Sequence, residues 1–365
     1  MVTKIIAETV PYDRGHDLAQ EYYRRAMRAG LGEGGEFRES PSGYSIYLLR
    51  GLRAIGRSYR LRALLNGSTL PRLLDSLASF ISHGKSGEPT PAFGAYRFLT
   101  DDREEIRICI DSMDYPMISE DAAAACDLYF KTNYWASYNY PSKVLPSPNM
   151  NPLVGRNLDL FRGLRTAPKV CDVFSFFRVW GGGDEVEGIE HNMALLEGIH
   201  KTQCNIFLLA YLVAGDITSQ GKRLDSIGVP WTTKPMPAKT LWQRAAGARL
   251  NIVRLGMHEC IPWRMIDILA MGGVPVFDYA PRSIWPEPLV EGKHYLNLDF
   301  CPGRGDAKKI PEKIGAWLKD ESLILSISHN TAEYFDRYLS PEKLGTWVMQ
   351  SVKEWQEAQS RLPSE

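Results

Sequence analysis

Between residues 168 and 305 the chain alternates apolar runs of strand length with helical segments, and that rhythm leaves few folds open. Residues 170–180 read as a strand, the glycine triplet 181–183 as a loop and 189–201 as a helix. A strand at 205–213 follows, then a helix at 241–248, a strand at 250–255 and a helix at 262–271 stopped by Gly272 and Gly273, with a last strand at 274–278. Strand, helix, strand in this order gives a parallel sheet with crossover helices, the doubly wound class. Such sheets hold ligands at the carboxyl ends of their strands, often with a phosphate against a helix N-terminus.

The first part of the chain is less regular. A strand is expected at 4–9, a turn at Pro11, Asp13 and Gly15, a helix at 17–29 and a glycine-rich loop at 30–43. Residues 44–65 are Arg-rich and apolar at helical spacing, with Arg53, Arg57 and Arg60 as a basic stripe. Buried strands are expected at 106–111 and 127–131, the first running into Asp111-Ser112-Met113-Asp114. Pro141, Pro146, Pro148 and Pro152 crowd the approach to a domain boundary. From Ser340, an N-cap followed by Pro341, a final helix carries the apolar stripe Leu344, Trp347, Val348, Val352 and Trp355, so it packs back on the body. The expected organisation is 1–165, 166–339 and a helix over 340–365.

At 365 residues the chain accommodates two domains. Lys plus Arg and Asp plus Glu both number 43, a balance without the footprint of a nucleic-acid binder. The six cysteines include no C-x-x-C pair, so no zinc knuckle or redox pair is expected. The start lacks the apolar core of a signal peptide, and the most apolar run, 206–214, falls far short of the roughly 20 residues that span a bilayer. A cytoplasmic location is expected. A peripheral contact with anionic lipid is the alternative reading of the basic stripe, whose simpler reading is a solvated helix face.

The most informative stretch is 254–279, RLGMHECIPWRMIDILAMGGVPVFDY. A strand ends near Leu255, a loop carries His258 and Glu259, and Pro262 opens a helix on whose surface Arg264 and Asp267 are neighbours at i, i+3. Free amides at the helix start favour phosphate, and a carboxylate accepts hydrogen bonds from ribose hydroxyls.

Glu259, seven residues, then Asp267, followed by A-M-G-G-V-P-V, resembles the donor-site motif of GT-B glycosyltransferases, and R-x-x-D-x-L-x-x-G-G-V-P-V resembles their exostosin-like branch. The match covers about 25 residues, with looser support from 168–300 and from D-L-Y-F-K-T-N-Y-W at 127–135. Asp267 stands where most such relatives have Glu. The resemblance implies an α/β fold of two Rossmann-like domains facing across a cleft, the C-terminal one binding a nucleotide sugar and the N-terminal one the acceptor.

It also implies a UDP- or GDP-linked sugar as donor, a glycan, lipid-linked or protein acceptor, no cofactor and no bound metal; no D-x-D metal motif is present. Glu259 and Asp267 become the motif carboxylates, Arg264 a support or phosphate ligand, and Arg178 and Lys234 the candidates for the pyrophosphate, with His258 near the transferred sugar. The simple alternative for Arg264 and Asp267 is an ion pair. An inverting transfer needs a general base, for which Asp111, Asp114 and His16 are candidates at expected strand ends; turn and capping chemistry is the alternative for the aspartates, and a solvent-facing helix residue for His16. A sugar-nucleotide epimerase or hydrolase, or a non-catalytic nucleotide-sugar-binding protein, are the competing functions. No G-x-S-x-G elbow or Walker loop appears.

Overall fold

The structure, a computed structural model, describes residues 2–7, 45–56, 59–61, 93–100, 105–151, 154, 157–179, 186–212, 216–303 and 305–361. His16, the helix at 17–29, the glycine-rich loop and the glycine triplet 181–183 lie outside the described residues. The chain divides into two compact units. One comprises Met1–Gly155, Ser283–Pro286 and Pro341–Glu365, the other Arg156–Arg282 and Glu287–Ser340.

In the first unit the described strands are β1 (Val2–Ala7), β2 (Tyr59–Leu61), β3 (Phe93–Thr100), β4 (Glu105–Asp111), β5 (Leu128–Lys131) and β6 (Val144–Pro146), in the order β2-β1-β3-β4-β5-β6. β3 runs antiparallel to both neighbours, and β4, β5 and β6 are parallel. Every residue of β5 is buried, as expected of a strand covered on both faces. Among the described residues of 44–65, Ser45–Ala54 form the helix read there and Tyr59–Leu61 a strand. Arg60 lies instead in β2, paired with Ile6, so no single basic helix face runs through Arg53 and Arg60.

The last helix, Pro341–Ser360, buries Leu344, Val348 and Val352. It meets helix Ser45–Ala54 at two glycines: a Cβ on Gly51 would stand 1.7 Å from the Pro341 carbonyl oxygen, and one on Gly345 2.7 Å from the Gly51 carbonyl carbon. Only residues without a side chain permit so close a crossing, and the apolar stripe read from the sequence finds its partner there.

The second unit is regular. β7 (Cys171–Val179), β8 (Ile206–Leu212), β9 (Trp231–Thr232), β10 (Ala248–Val253), β11 (Pro275–Phe277) and β12 (Leu296–Asn297) form a parallel sheet in the order β12-β11-β10-β7-β8-β9. Counted within the unit this is 6-5-4-1-2-3, the doubly wound order with its reversal between the first and fourth strands. On one face Val173, Phe177 and Val179 of β7, Leu250 and Ile252 of β10 and Val276 of β11 pack under Leu195, Leu196 and Ile199 of helix Val186–His200. Helix Ile217–Ser226, which the sequence reading passed over, is capped by Asp216 accepting from the Ser219 amide. Among the described residues no helix is long and apolar enough to cross a membrane, and all six cysteines are free.

Candidate functional site

A parallel sheet delivers every strand's carboxyl end to one edge. In the second unit β7 and β10 are neighbours whose connections leave in opposite directions along the sheet. That leaves a crevice at their ends. Arg178 occupies the penultimate position of β7, exposed, with its guanidinium 5.9 Å from the ring centre of Tyr211 on β8. Past the end of β10, Met257–Glu259 form a single tight turn. His258 and Glu259 both adopt left-handed backbone (φ 53° and 57°). Left-handed backbone costs a residue with a Cβ roughly 1–2 kcal/mol, and such strain persists only where the surroundings impose it, most often at functional sites.

Two contacts flank the turn. The Leu255 amide donates to Asp278 Oδ1 at 3.0 Å, and Arg282 Nε pairs with Glu259 Oε2 at 2.8 Å. The turn is closed by the Gly256 amide donating to the Cys260 carbonyl at 2.9 Å. A Cβ on Gly256 would fall 2.4 Å from Cys260 Sγ. His258 is exposed and Glu259 half-buried. Lys234 is exposed in the turn after β9, with its amide on Thr232 Oγ1. The fold thus brings Arg178, Lys234, His258 and Glu259 to one edge, the first and last two at the crevice itself.

Arg264 and Asp267 are placed differently from the surface pair expected. Helix Arg264–Ala270 is short, and all its residues after Arg264 are buried. The Met265 and Ile266 amides donate to the Pro262 and Trp263 carbonyls, so the helix start offers fewer free amides than the sequence reading supposed. Asp267 turns inward at 1% exposure, where Oδ2 accepts from Trp242 Nε1 at 3.1 Å. With Phe174, Trp242, Asn251 and Arg264 it lines a narrow crevice between strands β7 and β10 and the helices Ala238–Ala246 and Arg264–Ala270. Arg264 reaches across the switch point: its guanidinium donates to the Phe176 carbonyl of β7 and lies over the Phe176 ring. Burial pushes its pKa down to about 10, against the favourable charge of Asp267, which leaves it protonated at neutral pH. Arg264 therefore ties the loop after β10 to β7.

In the first unit Asp111 ends β4 but does not face solvent. Its carboxylate is paired with Lys131 Nζ at 2.9 Å, both side chains 0% exposed. Tyr129 donates to the same oxygen at 2.6 Å, and the Met113 amide to the other at 2.9 Å. A base has to reach a proton on the acceptor, and this carboxylate is enclosed. Asp114, three residues on, is half-buried, with its carbonyl accepting from the Asn133 amide. Lys131 and Tyr129 stand in the D-L-Y-F-K run noted in the sequence; only the pairing of β4 with β5 reveals them as partners of Asp111.

Two groups were missed outright. His191, on helix Val186–His200, is buried, and Asp278 after β11 holds it. Arg282 is the partner of Glu259. No local sequence signal marks either acidic–basic pair, because each forms only when the sheet does.

Two α/β units, the second a parallel sheet of doubly wound order with charged side chains at its switch point, define a GT-B-like, glycosyltransferase-like fold. Solved structures agree on that fold. HepE of Anabaena, determined in complex with UDP and glucose, is similar at a TM-score of 0.51 with 10% identity, over 96% of this chain and 100% of that one. A glycosyltransferase from Rickettsia africae is similar at a TM-score of 0.50 with 10% identity, over 98% and 99% of the two chains. The chain also spans 59% of the N-terminal domain of a trehalose-6-phosphate phosphatase from Candida albicans, at a TM-score of 0.42, a likeness too loose to carry an argument. No protein-family model and no curated protein matches the sequence.

Proposed function

We propose that the chain is a glycosyltransferase that takes a sugar from a nucleoside-diphosphate sugar at the carboxyl edge of the second unit and passes it to a glycan or glycoconjugate. The observation that carries this reading is the strained His258–Glu259 turn past the end of β10, the strand paired with the β7 that carries Arg178. A carboxylate there accepts from sugar or ribose hydroxyls, an exposed arginine offers a fork to a diphosphate, and His258 precedes Glu259 in the same turn. Lys234, at the same edge, is a second cation for the diphosphate. Arg264 and Asp267 act from beneath, holding the loop rather than touching the donor. The resemblance of 254–279 to the exostosin-like branch supports the same assignment, and the UDP and glucose bound by HepE of Anabaena make a UDP-linked hexose the first donor to try.

Asp114 is the base candidate among the described residues, being half-buried beside the enclosed Asp111. Transfer as a hexosyl- or pentosyltransferase is metal-independent in this reading, and the site is cytoplasmic. The enclosure of Asp111 favours, as the second reading, a nucleotide-sugar-binding protein without turnover.

The test follows nucleotide released from UDP- and GDP-sugars with and without glycan acceptors, in the presence of a chelator. Acceptor-dependent release, lost in Glu259→Ala and strongly slowed in Asp114→Asn, supports the transferase. Release without acceptor makes the protein a hydrolase, and donor binding without release makes it a binding protein.

A further inference from the structure

Asp278 serves two elements with its two oxygens. Oδ1 accepts from the Leu255 amide at 3.0 Å, where the loop to the left-handed turn begins. Oδ2 lies 2.8 Å from Nε2 of His191, eighty-seven residues away on helix Val186–His200. The two side chains are 1% and 2% exposed. A carboxylate can only accept, so His191 donates from Nε2. Nδ1 is buried and has no hydrogen-bond partner, an arrangement the Nε2–H tautomer tolerates best because a lone pair then replaces an unsatisfied N–H. The imidazole is held flat against Phe300 (centroids 4.7 Å apart, 16° between planes) with its other neighbour, Tyr279, edge-on at 6.0 Å. Packing and the hydrogen bond together hold its orientation.

The loop that Asp278 grips is the one carrying backbone strain. The stretch from Leu255, bound to Asp278, to Glu259, bound to Arg282, ends in His258 and Glu259, both with positive φ. The two anchors are four residues apart in one segment, 278–282, so a shift of Asp278 loosens one end of the turn while Arg282 still holds the other. Nothing else described binds the Leu255 amide. We infer that His191 is a positioning residue: by fixing Asp278 it keeps the Leu255–Cys260 turn in its left-handed form and so sets the place of Glu259. The consequence for donor affinity rests on the function proposed above; the bracing itself does not.

Amide hydrogen exchange on the ligand-free protein tests the brace, since local opening is read segment by segment. His191→Phe keeps a ring against Phe300 and removes the donor, while His191→Gln can supply an N–H again. The expected result is exchange about tenfold faster in 255–260 of His191→Phe, with β10 and helix Arg264–Ala270 unchanged and His191→Gln close to the parent. Should His191→Phe fail to fold for want of a partner to the buried carboxylate, the double variant His191→Phe, Asp278→Leu removes that charge and is expected to show the same local loss. Unchanged exchange in 255–260, or acceleration spread evenly over the second unit, overturns the inference. The same variants are then titrated with UDP-glucose and GDP-mannose, and a Kd raised about tenfold in His191→Phe with rescue in His191→Gln extends the brace to the donor. Faster local exchange in a protein whose parent binds neither sugar nucleotide leaves the brace standing and removes the glycosyltransferase reading.

Discussion

Lys131 Nζ sits 2.9 Å from Asp111 Oδ2 with neither side chain exposed to solvent. Such a pair is costly to break from one side, because the remaining charge is left buried and uncompensated, whereas replacing both by apolar groups is often neutral. Asp111→Ala is expected to lose about 3–5 kcal/mol of stability, and Asp111→Leu with Lys131→Met to recover most of it. Urea midpoints of the two variants check this. A single variant as stable as the parent would mean that the pair is not enclosed.

The crossing of helix Ser45–Ala54 with helix Pro341–Ser360 depends on Gly51 and Gly345. An alanine at 51 puts a methyl group into the Pro341 carbonyl, and backbone cannot give way as a flexible side chain would. Gly51→Ala should cost about 1–3 kcal/mol or more, the usual penalty of overpacking. The C-terminal helix should become protease-sensitive well before the second unit unfolds, so limited proteolysis followed by mass analysis is the readout.

His258 and Glu259 hold left-handed backbone that glycine adopts freely. His258→Gly should therefore be neutral or stabilising, by about 1 kcal/mol at most, which is roughly 2–4 °C in melting temperature for a domain of this size. The same change is expected to weaken donor binding, because a relaxed turn no longer fixes Glu259. A gain in melting temperature together with undiminished donor binding would separate the strain from the function.

His294 contributes a pH dependence with a definite sign. Burial, helped by Lys293 and opposed by Glu333, lowers its pKa from the usual 6.5 to about 4. Its Nδ1 accepts from the Val290 amide at 3.0 Å, a role open only to the neutral ring. The unfolded chain binds the proton more readily, so the stabilisation is complete above about pH 6.5 and is lost as pH falls towards 4. His294→Gln should flatten the fall of the urea midpoint across that window, and parallel slopes in parent and variant would contradict the assignment.

How far the sequence reached depends on what each residue answers to. Strands β7, β8, β10 and β11 were legible because strands of a helix-covered parallel sheet are rich in apolar residues, as in IFLLAYL at 206–212. Helix Ile217–Ser226 was not, since Gln220 and Gly221 occupy two of its three buried positions, and β9, two residues long, carries no periodicity. The positions of Arg178 near the end of β7 and of Glu259 in the turn past β10 were legible from the strand pattern. Asp267 was misplaced because its i, i+3 spacing to Arg264 says they are neighbours and not which side of the helix is buried. Asp278 was invisible: an aspartate after V-P-V-F acquires meaning only when helix Val186–His200 brings His191 to it.

The central claim, a nucleotide-sugar site built on Glu259 at the switch point of the second unit, is tested most directly by melting the parent and Glu259→Ala with UDP, UDP-glucose, GDP and GDP-mannose. A ligand held only by the folded state at a concentration about 100 times its Kd adds about 2.7 kcal/mol to stability. The account predicts that one nucleotide series raises the melting temperature of the parent by several degrees, and that the rise is lost in a variant which otherwise melts like it. No rise with any of the four in a folded parent, or an equal rise in Glu259→Ala, would contradict it.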